Sequence, residues 1–232
     1  MRKKSIKMLS LLLCSVLLLG FSIDCLAAAN QSIEEIVQID VPVDTLNPDD
    51  FVEANKQLVA RGQAAMKQRS GKTLTVEHYY QSGEIWSSDV MQTEGKTIQN
   101  AGCCLTSFAM IQRYLGGIYN PRGVNQQMGN AACPFNYSTA ATVFDLTITN
   151  YEYGVVTDDY AKKFIVGAID SGYPVLIGMT PDDTTKNTHF VTAYGYYGDI
   201  IFIHDPASNR DYTTLTTYLN DYSVHRLYVY VK

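Results

Sequence analysis

Apolar residues recur at helical intervals through the middle of the chain and at strand-like intervals in its last third. The helical spacing predicts helices over 51–69, 103–115, 121–130, 139–147 and 158–171. Alternation predicts a strand over 74–80, and runs rich in β-branched and aromatic residues predict four more strands after Pro174, in PVLIGM, THFVTAYGYY, DIIFIHDP and HRLYVYV. Helices followed by an antiparallel sheet indicate an α+β fold.

The first 29 residues have the pattern of a secretory signal peptide. A basic start precedes an apolar run over 8–23, and small residues follow at 27–29. A membrane anchor is the alternative, but the run is shorter than the roughly 20 residues that span a bilayer. Lipid attachment at Cys25 is disfavoured by Asp24, which stands where a small residue is needed. The sequence therefore predicts export, cleavage of residues 1–29, and a secreted or surface protein without stable membrane insertion.

Two further segments follow the predicted signal peptide. Residues 30–72 form an N-terminal extension or linker with one helix-favouring stretch, and no chemistry-bearing motif occurs there. This segment is an appended helix, a linker or a propeptide, and the sequence leaves the choice open. Residues 73–232 carry all the motifs discussed below and are predicted to form the functional domain.

The charge balance argues against polyanionic partners. The chain has 18 basic and 23 acidic residues, and the predicted signal peptide holds four of the basic residues and one of the acidic ones. The mature protein is therefore more acidic than the full chain. Nucleic acids and anionic membranes attract clustered Lys and Arg, so neither is an expected partner.

Three cysteines remain after residue 29: Cys103, Cys104 and Cys133. An odd number in an exported protein leaves at least one thiol unpaired. Whether Cys104 and Cys133 form a disulfide stays open. The adjacent Cys103 and Cys104 lack the spacing of about two to four residues typical of paired metal ligands, so neither a metal nor another cofactor is predicted.

Cys103 has the features of a nucleophile. It follows Gly102 and stands at the start of the helix predicted over 103–115, where unpaired backbone N–H groups and the helix dipole favour negative charge. Gly102 lets the backbone approach a substrate closely. A buried structural cysteine is the alternative interpretation.

His189 and Asp205 are predicted to meet across a hairpin. If the strands turn over the three-residue loop 196–198, His189 lies directly opposite Asp205. A two-residue loop at 197–198 shifts the pairing partner of His189 by one residue. Neighbouring strands lie about 5 Å apart, so the carboxylate can orient the imidazole as the third member of a triad does. His204 points to the opposite face of its strand, and solvated edge positions account for the two remaining histidines, His78 and His225.

These residues fall in motifs that resemble the secreted branch of cysteine peptidase family thirty-nine, which includes the bacteriocin-processing peptidases and belongs to the papain-like clan. The motif-bearing stretches are YYQSGEIW, NAGCCLTSFAMIQRYLGG, HFVTAYGY and IFIHDP. The resemblance implies a papain-like fold, in which an N-terminal helical half carries the nucleophile and packs on a C-terminal antiparallel sheet. It further implies Cys103 as nucleophile, His189 as base, Asp205 as orienting acid and Gln81 as oxyanion donor.

Two assignments within this resemblance have rivals. Gln99 competes with Gln81 for the oxyanion role, and Gln81 is preferred because a side-chain donor must be aimed from outside the nucleophile's own turn. Cys104 competes with Cys103, but the register of the Thr-Ser and Ala-Met pairs that follow favours Cys103. A neighbouring residue would also face about 100° away around the helix.

The expected activity is hydrolysis of peptide bonds in a peptide or protein substrate outside the cell, through an acyl-enzyme. Amide hydrolysis or acyl transfer on a cell-wall or other non-protein substrate is an alternative, because the same triad serves both chemistries. A catalytically idle binding module of the same fold is the third possibility.

Overall fold

The structure, a computed structural model, describes residues 44–91, 95–207 and 213–232. The predicted signal peptide and the beginning of the predicted extension lie outside these ranges. Within them, no helix has both the length and the apolar character needed to cross a membrane.

Helices and one antiparallel sheet make up the described chain, which confirms the α+β fold class. The helices are α1 (Val52–Lys67), α2 (Ile98–Ala101), α3 (Cys103–Tyr114), α4 (Pro121–Met128), α5 (Tyr137–Val143), α6 (Asp158–Ser171) and α7 (Leu215–Tyr218), with 3₁₀ turns at Pro48–Phe51 and Gly129–Ala131. The strands are β1 (Gly71–Thr73), β2 (Thr147–Tyr153), β3 (Val175–Pro181), β4 (His189–Tyr197), β5 (Ile200–His204) and β6 (Tyr222–Val231). Their order is β1-β4-β3-β6-β2, and β5 pairs with β4.

Helices cover both faces of the sheet. Alternate residues of β3 point to opposite sides: Val175 and Ile177 join the core that contains α6, whereas Leu176 joins the core that contains α3. Side chains that alternate along a strand produce this division. The sheet therefore fixes the position of α3, whose first residue is Cys103.

Two expectations for the strands were wrong. Residues 74–80 are not a strand, because Leu74 donates the last ladder hydrogen bond to Tyr194 and the N–H of Val76 then turns back to the carbonyl of Leu74. The edge strand β2 was not predicted. It begins soon after Asp145, whose positive φ of 53° follows the end of the helix predicted to continue to residue 147.

Helix α1, in the predicted extension, packs directly on α6. A Cβ atom on Gly62 would lie 1.8 Å from the carbonyl oxygen of Lys163, and one on Gly167 would lie 2.0 Å from that of Leu58. These glycines allow backbone contact between the helices. Asn55 also donates to the carbonyl of Tyr151 at 2.7 Å, so α1 contacts both α6 and the sheet.

The β4–β5 hairpin has a different register from either predicted alternative. Tyr197 pairs with Ile200, so the loop consists of Gly198 and Asp199 rather than 196–198 or 197–198. Gly198 has a φ of 60°, which suits the first loop position of a type II′ turn and is readily adopted by glycine. A bulge between Ala193 and Gly195 then shifts the pairing back by one residue towards the predicted register.

Candidate active site

A cleft of about 670 Å³ lies beside the start of α3 and the start of β4. Its lining includes Gln81, Gln99, Cys103 and His189, and Asp205 lies buried behind His189. The fold thus brings together every residue that the sequence proposed for chemistry, although these residues span more than half of the described chain.

Gly102 places Cys103 at the first turn of α3. Helix α2 ends at Ala101, and a Cβ atom on Gly102 would lie 2.4 Å from the carbonyl oxygen of Ile98, so only glycine allows this tight connection. The first N–H groups of a helix have no acceptor within it, and they favour negative charge nearby. Cys103 is partly exposed and lines the cleft, whereas Cys104 is buried.

His189 forms a buried ion pair with Asp205. Its Nε2 lies 2.8 Å from Oδ1 of Asp205, which leaves Nδ1 as the nitrogen available to the Cys103 thiol. Burial alone would lower the pKa of His189. Hydrogen bonds to Asp205 and Cys103, together with attraction to both groups, outweigh burial and raise that pKa to about 9.

Among the described residues, three donors give hydrogen bonds to Asp205. Besides His189, they are the hydroxyl of Tyr218 and the backbone N–H of Ala207, which lies 2.8 Å from Oδ1. Burial alone would raise the pKa of the Asp205 carboxyl, but these donors and the charge of the imidazolium lower it below its usual value. The carboxylate is therefore kept ionised and fixed beside His189.

A stack of aromatic rings holds the backbone at Asp205. His78 Nε2 lies 2.7 Å from the carbonyl oxygen of Asp205, and because a carbonyl only accepts, the ring nitrogen must donate. The ring of His204 lies between those of His78 and Tyr194, with centroid distances of 4.4 and 4.0 Å. Burial, and then the proximity of His78, lower the pKa of His204 to about 4, so this ring stays neutral at physiological pH.

Both glutamines proposed for the oxyanion role line the cleft. The backbone N–H of Gln81 donates to the carbonyl of Pro206 at 2.8 Å, which ties Gln81 to the turn after Asp205. Its side-chain Nε2 donates to the carbonyl of Gln99 at 2.8 Å. The amide of Gln81 is thus aimed across the start of α2, from outside the helix that carries Cys103.

Cys104 and Cys133 are thiols, and no disulfide joins them. The Cys104 thiol donates to the hydroxyl of Tyr137 at 3.8 Å. Burial raises the pKa of Cys104 well above its ordinary value and also raises that of Cys133. Neither thiol has the environment of an activated nucleophile.

Several side chains at the site were not proposed for it from the sequence, among them Tyr218, His78 and Lys186. Tyr218 lies in the short helix α7, whose composition carries no signal for a carboxylate partner. His78 was interpreted as a solvated edge residue. It contacts Asp205, which lies 127 positions later in the sequence, so no local signal along the chain indicates this contact. Lys186 lines the cleft from the β3–β4 loop.

Across 44–91, 95–207 and 213–232, no cluster of three or more His, Cys, Asp or Glu side chains is arranged to hold a metal ion.

Comparison with known proteins identifies the family of this chain. The sequence profile described as the Peptidase_C39 like family matches residues 73–228. A crystal structure of a protein from Bacillus anthracis, proposed to be a C39-like peptidase, is 13% identical over 69% of this chain and 98% of its own, with a TM-score of 0.42. No curated protein matches the chain. Because the family profile covers two thirds of the sequence, the chain belongs to the peptidase C39 like family.

Proposed function

We propose that this protein is an exported cysteine peptidase that cleaves peptide bonds with Cys103 as nucleophile, His189 as general base and acid, and Asp205 as the orienting carboxylate. The observation that carries the proposal is the buried contact of 2.8 Å between His189 and Asp205, beside a cleft that also exposes Cys103. Membership of a peptidase family supports the same chemistry.

Cys103 starts the reaction as a thiolate paired with protonated His189. Its sulfur attacks the carbonyl carbon of the scissile peptide bond, so that an S–C bond forms and the carbonyl oxygen becomes an oxyanion. His189 then gives its proton to the leaving nitrogen as the C–N bond breaks, which releases an amine and leaves a thioester on Cys103. Water attacks this thioester, His189 takes its proton, and the C–S bond breaks to release a carboxylic acid product.

Asp205 and Gln81 support these steps from two sides. Asp205 keeps the His189 ring oriented and stabilises the imidazolium, as the third member of a triad does. Gln81 donates to the developing oxyanion, together with the backbone N–H at the start of α3. Gln81 is preferred over Gln99 because its backbone bond to Pro206 fixes it relative to the turn at Asp205.

Export through residues 1–29 completes the proposal and can be tested separately. These residues lie outside the described part of the chain, and the argument for them is the basic, apolar and small-residue pattern of the sequence. N-terminal sequencing of protein recovered from the culture medium or the cell surface of an expressing bacterium should give a first residue between 28 and 30. An intact Met1 on the recovered protein would refute cleavage.

The peptidase assignment is tested by product analysis of a defined peptide library. Mass spectrometry should show cleavage products with the wild type and none with Cys103→Ala, and a parallel incubation with peptidoglycan fragments should show no products. Products from peptidoglycan alone would refute the peptidase assignment in favour of an amidase. Labelling of Cys103 by a thiol-reactive probe without turnover of any substrate would favour an idle binding module.

A further inference from the structure

A second cavity, of about 440 Å³, lies beyond the cleft on the sheet. We call it the tyrosine pocket: its walls include the rings of Tyr137, Tyr151, Tyr153 and Tyr228, and the guanidinium of Arg226 lies among them. Tyr228 stacks on Tyr137 and on Tyr151, with centroid distances of 4.0 and 4.7 Å, so these walls are packed and preformed. Preformed aromatic pockets with few polar groups are typical of binding sites.

A smaller cavity shares lining residues with both the cleft and the tyrosine pocket. This cavity, of about 110 Å³, is lined by residues that include Thr188, Phe190 and Arg226. Thr188 also lines the cleft, and Arg226 also lines the tyrosine pocket. The three concavities therefore follow one another across the sheet, from the residue before His189 to Arg226.

The strand register sets the distance between Arg226 and Phe190, the residue after the proposed catalytic base. Phe190, which follows His189, pairs with Gly178, and Gly178 pairs with Arg226. Neighbouring strands lie about 4.8 Å apart, so the Cα atoms of Phe190 and Arg226 are separated by about 10 Å. An extended peptide advances about 3.4 Å per residue, so this distance corresponds to about three substrate residues.

Arg226 is a cation without a carboxylate partner among the described residues. Its Nη1 donates to the hydroxyl of Tyr137 at 2.9 Å, and its buried Nε has no acceptor in the described structure. Tyrosines, rather than carboxylates, are its main electrostatic neighbours. The guanidinium also lies 5.1 Å from the ring centre of Tyr153, which is half-exposed at the mouth of the pocket.

Asp44, the one carboxylate among the described residues that line the tyrosine pocket, accepts its hydrogen bonds from groups other than Arg226. It accepts hydrogen bonds from Ser138 at 3.0 Å and from the backbone N–H groups of Leu46 and Tyr137 at 3.4 and 3.3 Å. Asp44 therefore leaves the charge of Arg226 available to a ligand. A guanidinium recognises a carboxylate through charge-assisted and often paired hydrogen bonds.

We propose that the tyrosine pocket is a distal substrate subsite, in which Arg226 binds an acidic side chain of the peptide about three residues from the scissile bond. The tyrosine rings cover the aliphatic part of that side chain, and the intervening substrate residues pass over the smaller cavity between the tyrosine pocket and the cleft. This inference rests on the proposed peptidase function and adds a specificity to it.

The test compares substrate pairs that differ in one charge. A peptide cleaved by the wild type is resynthesised with Glu or Gln at each position from two to five residues on either side of the scissile bond. The ratio of kcat/KM for Glu over Gln is then measured with the wild type, Arg226→Gln and Arg226→Lys. The matched control is Arg61→Gln, which removes the same charge from a side chain that lines neither the cleft nor the tyrosine pocket and instead pairs with Asp170 at 2.7 Å.

The wild type should prefer Glu by about tenfold or more at one position, about three residues from the bond, because hydrogen bonds to charged groups discriminate by this amount. The ratio should fall to about one in Arg226→Gln, remain partly in Arg226→Lys, and be unchanged in Arg61→Gln.

A wild type without acidic preference at any position overturns the subsite, and this holds even if the Arg226 variants fail to fold. Equal losses on Glu and Gln peptides in Arg226→Gln also overturn it, because they indicate a structural role. Failure to cleave any library peptide refutes the peptidase function itself, whereas cleavage without preference refutes the subsite alone.

Discussion

His189 Nε2 lies 2.8 Å from Oδ1 of Asp205, although β4 and β5 do not pair these two residues. The last pair of the ladder is Thr192 with His204, and the same register continued along β4 would place His189 opposite Ala207. Asp205 lies just beyond the end of β5, where its side chain accepts the N–H of Ala207 and turns towards His189. The contact therefore depends on the turn after His204 as much as on the sheet.

The first prediction concerns Asp205→Asn. The amide keeps the shape of the side chain but loses the charge that stabilises the imidazolium, so kcat should fall while some activity remains. We expect a loss about ten to a hundred times smaller than that of His189→Ala, because in a comparable triad the carboxylate costs less than the nucleophile or base. Steady-state kinetics of the two variants, with circular dichroism to confirm folding, measure the difference. Equal losses in both would contradict an orienting role.

The second prediction is the alkaline limit of activity. The pKa of His189 is raised to about 9, so the protonated ring that pairs with the thiolate persists below that pH and is lost as pH rises through it. The profile of kcat/KM should therefore decline above about pH 9. In Asp205→Asn one of the two attractions that raise this pKa is removed and that of Cys103 remains, so the decline should move to lower pH. If the alkaline limit of that variant stays where it is in the wild type, deprotonation of His189 does not cause the decline.

The third prediction assigns His78 a positioning role behind Asp205. His78→Ala removes the donor to the Asp205 carbonyl, so the turn loosens and kcat should fall by about tenfold, with a smaller change in KM. His78→Gln offers an amide donor at a similar reach and should recover part of the activity. The alkaline limit of His78→Ala should also move to lower pH, because a displaced Asp205 stabilises the imidazolium less. A variant that loses only thermal stability, with kcat and the pH profile intact, would show that His78 is merely structural.

Much of the fold follows from local patterns that the sequence displays. Helix α6 begins and ends at the predicted residues because Thr157 caps its start and Gly172, with a φ of 99°, closes it. The strands after Pro174 are likewise rich in β-branched and aromatic residues, and β3, β4 and β6 each pair with at least two other strands. Helix α3 begins at Cys103 because Gly102 permits the turn from α2. In each of these elements, local chemistry and tertiary packing favour the same conformation.

The rest of the fold and of the site depends on contacts between residues far apart in sequence, which the spacing of residues along the chain does not encode. The hairpin register was wrong because the turn lies at Gly198 and Asp199, later in the chain than predicted. The bulge at Ala193–Gly195, which moves the pairing back by one residue, cannot be inferred from alternation either. The meeting of His189 and Asp205 was nevertheless anticipated. Tyr218 reaches Asp205 from a helix of only four residues, too short to leave a periodic signal. The order of motif residues thus indicated the site, whereas the groups that hold it in place required the structure.

The fourth prediction separates helix α1 from catalysis. No residue of α1 lines the cleft, and Gly62→Ala would force its Cβ to within 1.8 Å of the Lys163 carbonyl unless the helices move apart. The free energy of unfolding should fall by about 1–3 kcal/mol, as in other overpacked interiors. The kcat/KM of the folded protein should remain within about twofold of wild type. Gln63→Ala, on the exposed side of the same helix, is the matched control and should change neither quantity.

A truncated protein that starts at Gly71 extends the same test, because it lacks α1 altogether. Its melting temperature should be lower than that of the full mature protein, and the kcat of the folded truncated protein should be unchanged. Complete loss of activity in a truncated protein that remains folded would place an essential group upstream of Gly71 and contradict the assignment of the site to the cleft.

The central claim, that Cys103 is the nucleophile, is tested most directly by comparing Cys103→Ala with Cys104→Ala on one cleaved peptide. The two substitutions are chemically identical and adjacent in sequence, but only Cys103 lines the cleft, whereas Cys104 is buried against Tyr137. Folding of both variants is checked by circular dichroism. We predict that Cys103→Ala loses at least about a thousandfold in kcat/KM, as nucleophile removal does in other triads, and that Cys104→Ala stays within about tenfold of wild type. Activity within about tenfold of wild type in a folded Cys103→Ala, or the larger loss in Cys104→Ala, would contradict the assignment.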